Sequence, residues 1–74
     1  MRRQEVESSN LAEIGYDLEH LTLQIKFHNG AIYNYWPIGK YTYDGLMKSK
    51  SIGIYFNQHI RGAKGINFER TNEL

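Results

Sequence analysis

Seven residues in the second half of the chain have the types and spacing to hold an anion: Lys48, Lys50, Ser51, Gly53, Asn57, Arg61 and Lys64. Ser51 suits a helix N-cap. Gly53, Asn57 and Arg61 recur every four residues, so on a helix they form one stripe. A helix start presents unpaired N–H groups and the positive end of the helix dipole, both of which favour phosphate. Gly53 would let a base or a backbone approach closely. The plainer reading is that Ser51 caps the helix, Gly53 packs on a sheet and the lysines are solvated, because charge runs are most often wet faces. A second set is aromatic: Tyr33, Tyr35 and Trp36. Tyr33 and Tyr35 share one face of a strand, and Trp36 shares the other with Ile32 and Asn34. On a bare sheet face such rings stack on bases. Under helices they are core, with hydroxyls bonded at the rim; that is the safer reading in so short a chain.

Other chemistry is poorly supplied. The chain has no cysteine, which excludes disulfides and thiolate metal sites. The three histidines, His20, His28 and His59, are not three or four residues apart, so no helical metal pair arises. There is no Gly-x-Ser-x-Gly elbow and no Walker-type phosphate loop. The expectation is a non-enzymatic binding module without metal or cofactor.

The elements that must position these residues read as follows. Residues 5–17 hold Val6, Leu11, Ile14 and Tyr16, interrupted by Ser8-Ser9-Asn10, which suggests a broken edge strand strongest at 12–18 with a turn or bulge before it. Residues 21–27 alternate, with Leu21, Leu23, Ile25 and Phe27 on one side and Thr22, Gln24 and Lys26 on the other. Asn29-Gly30 reads as a two-residue hairpin turn. Residues 31–36 resume the sheet, and Pro37 ends it because proline cannot donate to a ladder. Ile38, Tyr43, Leu46 and Met47 then fit a short helix weakened by Gly39 and Gly45. Residues 52–61 fit a second, with Ile52, Tyr55, Phe56, His59 and Ile60 on one face and Gly62 and Gly65 as stops. The predicted architecture is α+β: a small antiparallel sheet of three to four strands followed by two short helices packed on one face. Residues 1–74 form one domain with its core in 6–65; residues 66–74 are a tail or a short extra strand.

Val6-x-Ser8-Ser9, Ile14-Gly15-Tyr16-Asp17, the alternating run Leu21 to Phe27 with Gly30, and Tyr33-x-Tyr35 resemble the KTSC domain. So does Tyr43-x-x-Leu46 followed by Ser51-x-Gly53-x-Tyr55-Phe56-Asn57-x-x-Ile60-Arg61. The resemblance covers about residues 6–65. The family takes its name from a C-terminal extension of some lysyl-tRNA synthetases and also occurs as small bacterial and phage proteins. The resemblance implies the suggested family role of RNA binding. Lys48, Ser49 and the glycine-rich stretch from Arg61 to Gly65 depart from the family pattern.

The charge balance bears on that role. Nine basic against eight acidic residues give a net +1, too little for a strongly basic nucleic-acid footprint. Residues 38–65 nevertheless carry five of the nine basic residues and only one acid, Asp44. Two partners fit: an RNA strand, held by Lys48, Lys50, Arg61 and Lys64 with stacking on Tyr33, Tyr35 or Trp36, or a free nucleotide or other phosphorylated small ligand near Ser51, Gly53, Asn57 and Arg61. A protein–protein interaction module is the third reading. At 74 residues the core is thin, which leaves a homo-oligomer through sheet edges or the aromatic face open. No apolar run approaches the ~20 residues that span a bilayer, and the first residues lack an apolar leader. The expectation is a cytoplasmic protein with no membrane contact.

Overall fold

The computed structural model describes residues 1–72. Strands β1 (Arg3–Glu5), β2 (Leu11–Asp17), β3 (Thr22–Phe27) and β4 (Ile32–Trp36) are followed by helices α1 (Lys40–Lys48) and α2 (Ile52–His59) and then by β5 (Asn67–Thr71). All strand pairs are antiparallel, and the sheet runs in the order β1-β2-β3-β4-β5. The sheet therefore has five strands, not three to four, and the helices interrupt it rather than follow it. Both extra strands are edges with little apolar content. Their pairing is held by ladder and side-chain hydrogen bonds, which hydrophobic alternation does not report.

The two faces of the sheet differ sharply. On one, Leu23 and Ile25 of β3 are fully buried with Ile14, Tyr35, Ile38, Leu46, Phe56 and Ile60 beneath the helices. On the other, a polar ladder crosses four strands. The Arg3 guanidinium donates to Glu13 (2.8 Å) and Gln24 (2.7 Å), and the Gln24 amide donates to Asn34 (3.0 Å). Gln24 is buried, and both ends of its amide are satisfied, which removes the cost of burying it. This ladder fastens β1, a strand of three polar residues, to the sheet.

The local signals are refined by the structure. The β3–β4 hairpin has a three-residue loop rather than two. The Phe27 carbonyl accepts from the Gly30 N–H (2.9 Å), and the Phe27 N–H donates to the Ala31 carbonyl (2.9 Å). Gly30 alone takes the positive φ of 91°, so Asn29 needs no left-handed backbone and its side chain accepts from the Ala31 N–H. Leu21, expected in the strand, sits before it at φ 49° in the turn. Leu11–Asp17 is an inner strand covered by β1, and a bulge lies between Leu11 and Glu13.

Ile38 precedes α1 rather than lying in it; its N–H donates to the Leu21 carbonyl at 2.7 Å and its side chain is core. Tyr16 adds a second tie there, donating its hydroxyl to the Ile38 carbonyl (2.6 Å) and stacking on Tyr43 with ring centres 4.4 Å apart. Helix α2 begins where Ser51 Oγ accepts from the Ile54 N–H. It ends where the Arg61 N–H closes on the Phe56 carbonyl (2.9 Å) and Gly62 turns the chain at φ 68°.

Gly45 has a packing reason. A Cβ there would meet the Tyr55 ring, with Cζ only 2.8 Å away. Gly45→Ala gains about 1 kcal/mol of helix preference but overpacks this contact, at about 1–3 kcal/mol. The expected net loss is about 1 kcal/mol. In a Tyr55→Ala background the same change should stabilise by about 1 kcal/mol. Urea unfolding in both backgrounds checks this, and equal signs would disprove the contact.

Candidate ligand-binding cleft

Between the β3–β4 hairpin, the β4–β5 edge of the sheet and the end of α2 lies a half-open cleft of about 730 Å³. Its floor is aromatic because Tyr33 and Tyr35, two apart on β4, both point to the helix side of the sheet. They meet Phe27 at the end of β3, Phe56 from α2 and Phe68 from β5. Phe56 sits edge-on to Tyr35 (5.3 Å) and to Phe27 (5.9 Å). Phe68 lies 6.3 Å from both tyrosine rings and stays 64% exposed. Buried and half-buried rings thus form the base, and one exposed ring forms a wall.

The polar wall is as distinctive. Asn57 and Arg61 come from the end of α2, and Arg70 comes from β5, opposite Tyr33 in register. Among the described residues none of these three side chains has a hydrogen bond or an ion pair. Elsewhere Arg3 pairs with Glu13 and Lys40 with Asp44. His28, on the hairpin side, is already engaged: its Nε2 lies 2.8 Å from the Ser8 carbonyl.

Tyr35 is the most constrained of these groups. Its residue is only 6% exposed, it lines the cleft, and its hydroxyl bonds to no described group. Burial raises its pKa above the ordinary tyrosine value, while the nearby Arg61 pulls it back. The hydroxyl therefore stays neutral and can both donate and accept. Burial also raises Tyr16. In the unfolded chain tyrosine ionises near pH 10, whereas the folded chain holds these protons to higher pH. The folded state then binds more protons, so stability falls as pH rises above about 10. Thermal melts between pH 9 and 11 should show this fall, and Tyr35→Phe should flatten it. An unchanged slope in that variant would overturn the assignment to Tyr35.

The seven anion-binding candidates do not form one site. Asn57 and Arg61 line the cleft, and Tyr33 and Tyr35 join them there. Gly53 lies at the far end of α2, where a Cβ would stand 3.5 Å from Ser8 Oγ, and Ser51 is spent capping Ile54. Two helical turns, about 11–12 Å, separate position 53 from position 61, so a shared stripe is not a shared site. Lys48 borders a separate depression with Tyr41, Asp44, Gly45 and Tyr55. Lys50 and Lys64 are exposed and do not line the cleft. Trp36 faces the opposite side of the sheet from Tyr33 and Tyr35, as the strand alternation predicts, so it does not join them in the cleft. Sequence reading missed Phe68 and Arg70 as site residues because they fall in the segment 66–74, read as a tail or a short extra strand with no site assigned to it. The alternation Ile66-x-Phe68-x-Arg70 was the available signal.

The KTSC domain family model matches residues 7–63. The chain belongs to the KTSC domain family. An uncharacterized protein of Stutzerimonas stutzeri (strain A1501) is 36% identical over 58 residues, covering 78% of this chain and 82% of that protein. A protein of Tsukamurella paurometabola is 35% identical over 54 residues, 73% of this chain and 81% of its own. The crystal structure of a KTSC domain protein from Yersinia pestis superposes with a TM-score of 0.87 at 29% identity, covering 96% of this chain and 97% of that one. The family match ends before β5, so Phe68 and Arg70 lie outside it. Among the described residues of this KTSC domain, no helix is long and apolar enough to cross a membrane.

Proposed function

We propose that this KTSC domain is a non-enzymatic binding module that recognises a nucleotide, as part of an RNA strand or free, in the cleft floored by Tyr33 and Tyr35. The observation that carries this reading is the nearly buried Tyr35, whose hydroxyl has no described protein partner and lies under the influence of Arg61. A purine or pyrimidine ring is flat and edged with donors and acceptors. It can lie against Phe68 while its edge meets the Tyr35 hydroxyl or the Asn57 amide. The guanidiniums of Arg61 and Arg70 are planar forks of N–H donors, so they supply phosphate contacts. The test is titration with labelled single-stranded RNA at two salt concentrations, with mixed nucleoside monophosphates as competitor. Salt-sensitive binding that the monophosphates displace supports the cleft. Tight RNA binding that they leave untouched would move recognition to the lysine-bearing surface, and no binding of either would end the nucleotide reading.

A further inference from the structure

The cleft contains an imbalance that singles out one kind of phosphate. Two guanidiniums, Arg61 and Arg70, reach it from different elements, and neither has a carboxylate partner among the described residues. Glu69, next to Arg70 in sequence, points to the other face of the sheet, since successive residues of a strand alternate. No lysine lines the cleft, so no basic track of lysines runs through it. A strand held along its backbone needs such a track, because each internal phosphodiester carries one charge and the charges are spread along the chain. A phosphate monoester concentrates nearly two charges and three acceptor oxygens on one group. Arginine forks match that geometry better than lysine does. The volume of about 730 Å³ is in the range of a single small-ligand pocket rather than a groove for a polymer.

We infer that the cleft selects a terminal phosphate monoester attached to an aromatic base, held between Arg61 and Arg70: a nucleoside monophosphate, or the phosphorylated end of an RNA strand. This rests on the nucleotide reading above and narrows it. The monoester state of the phosphate, not base identity, is then the main determinant of affinity, and Arg70, from the strand beyond the family match, supplies the second half of the clamp.

The probes are AMP, GMP, CMP and UMP, their 5′-methyl phosphodiesters, the parent nucleosides, and an RNA tetramer with or without a 5′-phosphate. Affinities are read by calorimetry and by the NMR shifts of the Tyr33, Tyr35 and Phe68 rings. The monophosphates should bind at least about tenfold more tightly than their methyl esters, the value of one strong charge-assisted contact. Arg70→Ala should shrink that gap to within about threefold while leaving nucleoside binding unchanged. Arg70→Lys should restore part of it, which a merely structural role would not require. Preference for the 5′-phosphorylated tetramer at the level of the monophosphates assigns the clamp to strand ends as well; preference for the monophosphates alone assigns it to free nucleotides. Methyl esters that bind as tightly as the monophosphates would overturn the monoester inference and leave the nucleotide reading standing. Failure of every probe, both tetramers included, would overturn both.

Discussion

Phe56→Ala is expected to destabilise the domain by about 3–5 kcal/mol. Phe56 is 1% exposed, and its ring packs edge-on against both Tyr35 and Phe27. It joins α2 to the sheet at the floor of the cleft. A domain of this size holds on the order of 4–11 kcal/mol in total. The cavity left by a phenyl ring therefore removes about a quarter of it at the least. Phe56→Leu keeps most of the volume and should cost about 1.5 kcal/mol or less. Urea denaturation followed by far-UV circular dichroism measures both. A Phe56→Ala loss below about 1 kcal/mol would mean that the α2–sheet contact is far looser than the packing implies.

The second large effect concerns binding. Arg61→Ala should weaken nucleotide affinity by about 10- to 100-fold, since a hydrogen bond to a charged group contributes about 1.5–3 kcal/mol. Tyr35→Phe removes one neutral hydroxyl and should weaken it by about 2- to 10-fold. Lys48→Ala and Lys50→Ala change residues outside the cleft and should leave affinity within about twofold at moderate salt. Arg61 is exposed and unpaired among the described residues, so its loss should move stability by no more than about 0.5 kcal/mol. The experiment is a parallel titration of the four variants with the tightest nucleotide found for the parent. If the lysine variants lost more affinity than Arg61→Ala, the cleft would not be the site.

The sequence made the middle of the sheet and both helices legible because their signals are hydrophobic. Leu23 and Ile25 alternate with Gln24 and Lys26, while Tyr43, Leu46 and Met47 in α1 and Ile52, Tyr55 and Phe56 in α2 recur at helical spacing. The edges were not legible for the opposite reason. β1 is Arg3-Gln4-Glu5, and nothing in those residues reports burial; it is held by the Arg3 contacts to Glu13 and Gln24, partners 10 and 21 residues away. β5 was allowed for as a short extra strand, but four of its five residues are exposed, so its pairing with β4 could not be told from fraying. The cleft was half legible. Tyr33, Tyr35, Asn57 and Arg61 stood out by type and spacing, whereas Phe68 and Arg70 acquire meaning only once the register places them opposite Tyr35 and Tyr33. Counting along α2 also grouped Gly53 with Arg61, which the length of the helix separates.

The insertion of both helices between the fourth and fifth strands has a kinetic consequence. The hairpins joining β1 to β4 close over short loops, whereas β5 can pair only after the long segment 37–66 has been brought back onto the sheet. Loop closure over such a span costs more entropy and is slower than hairpin formation. Phe68 and Arg70 are thus expected to join the fold last, so a chain whose β5 has not yet paired can have the helix-covered core without a complete cleft. Pulse-labelled hydrogen exchange during refolding should find the β5 amides protected after those of β2 and β3, and ligand should hasten the protection of β5 alone. A ligand that grips Arg61 and Arg70 together would in effect be the latch on the final strand.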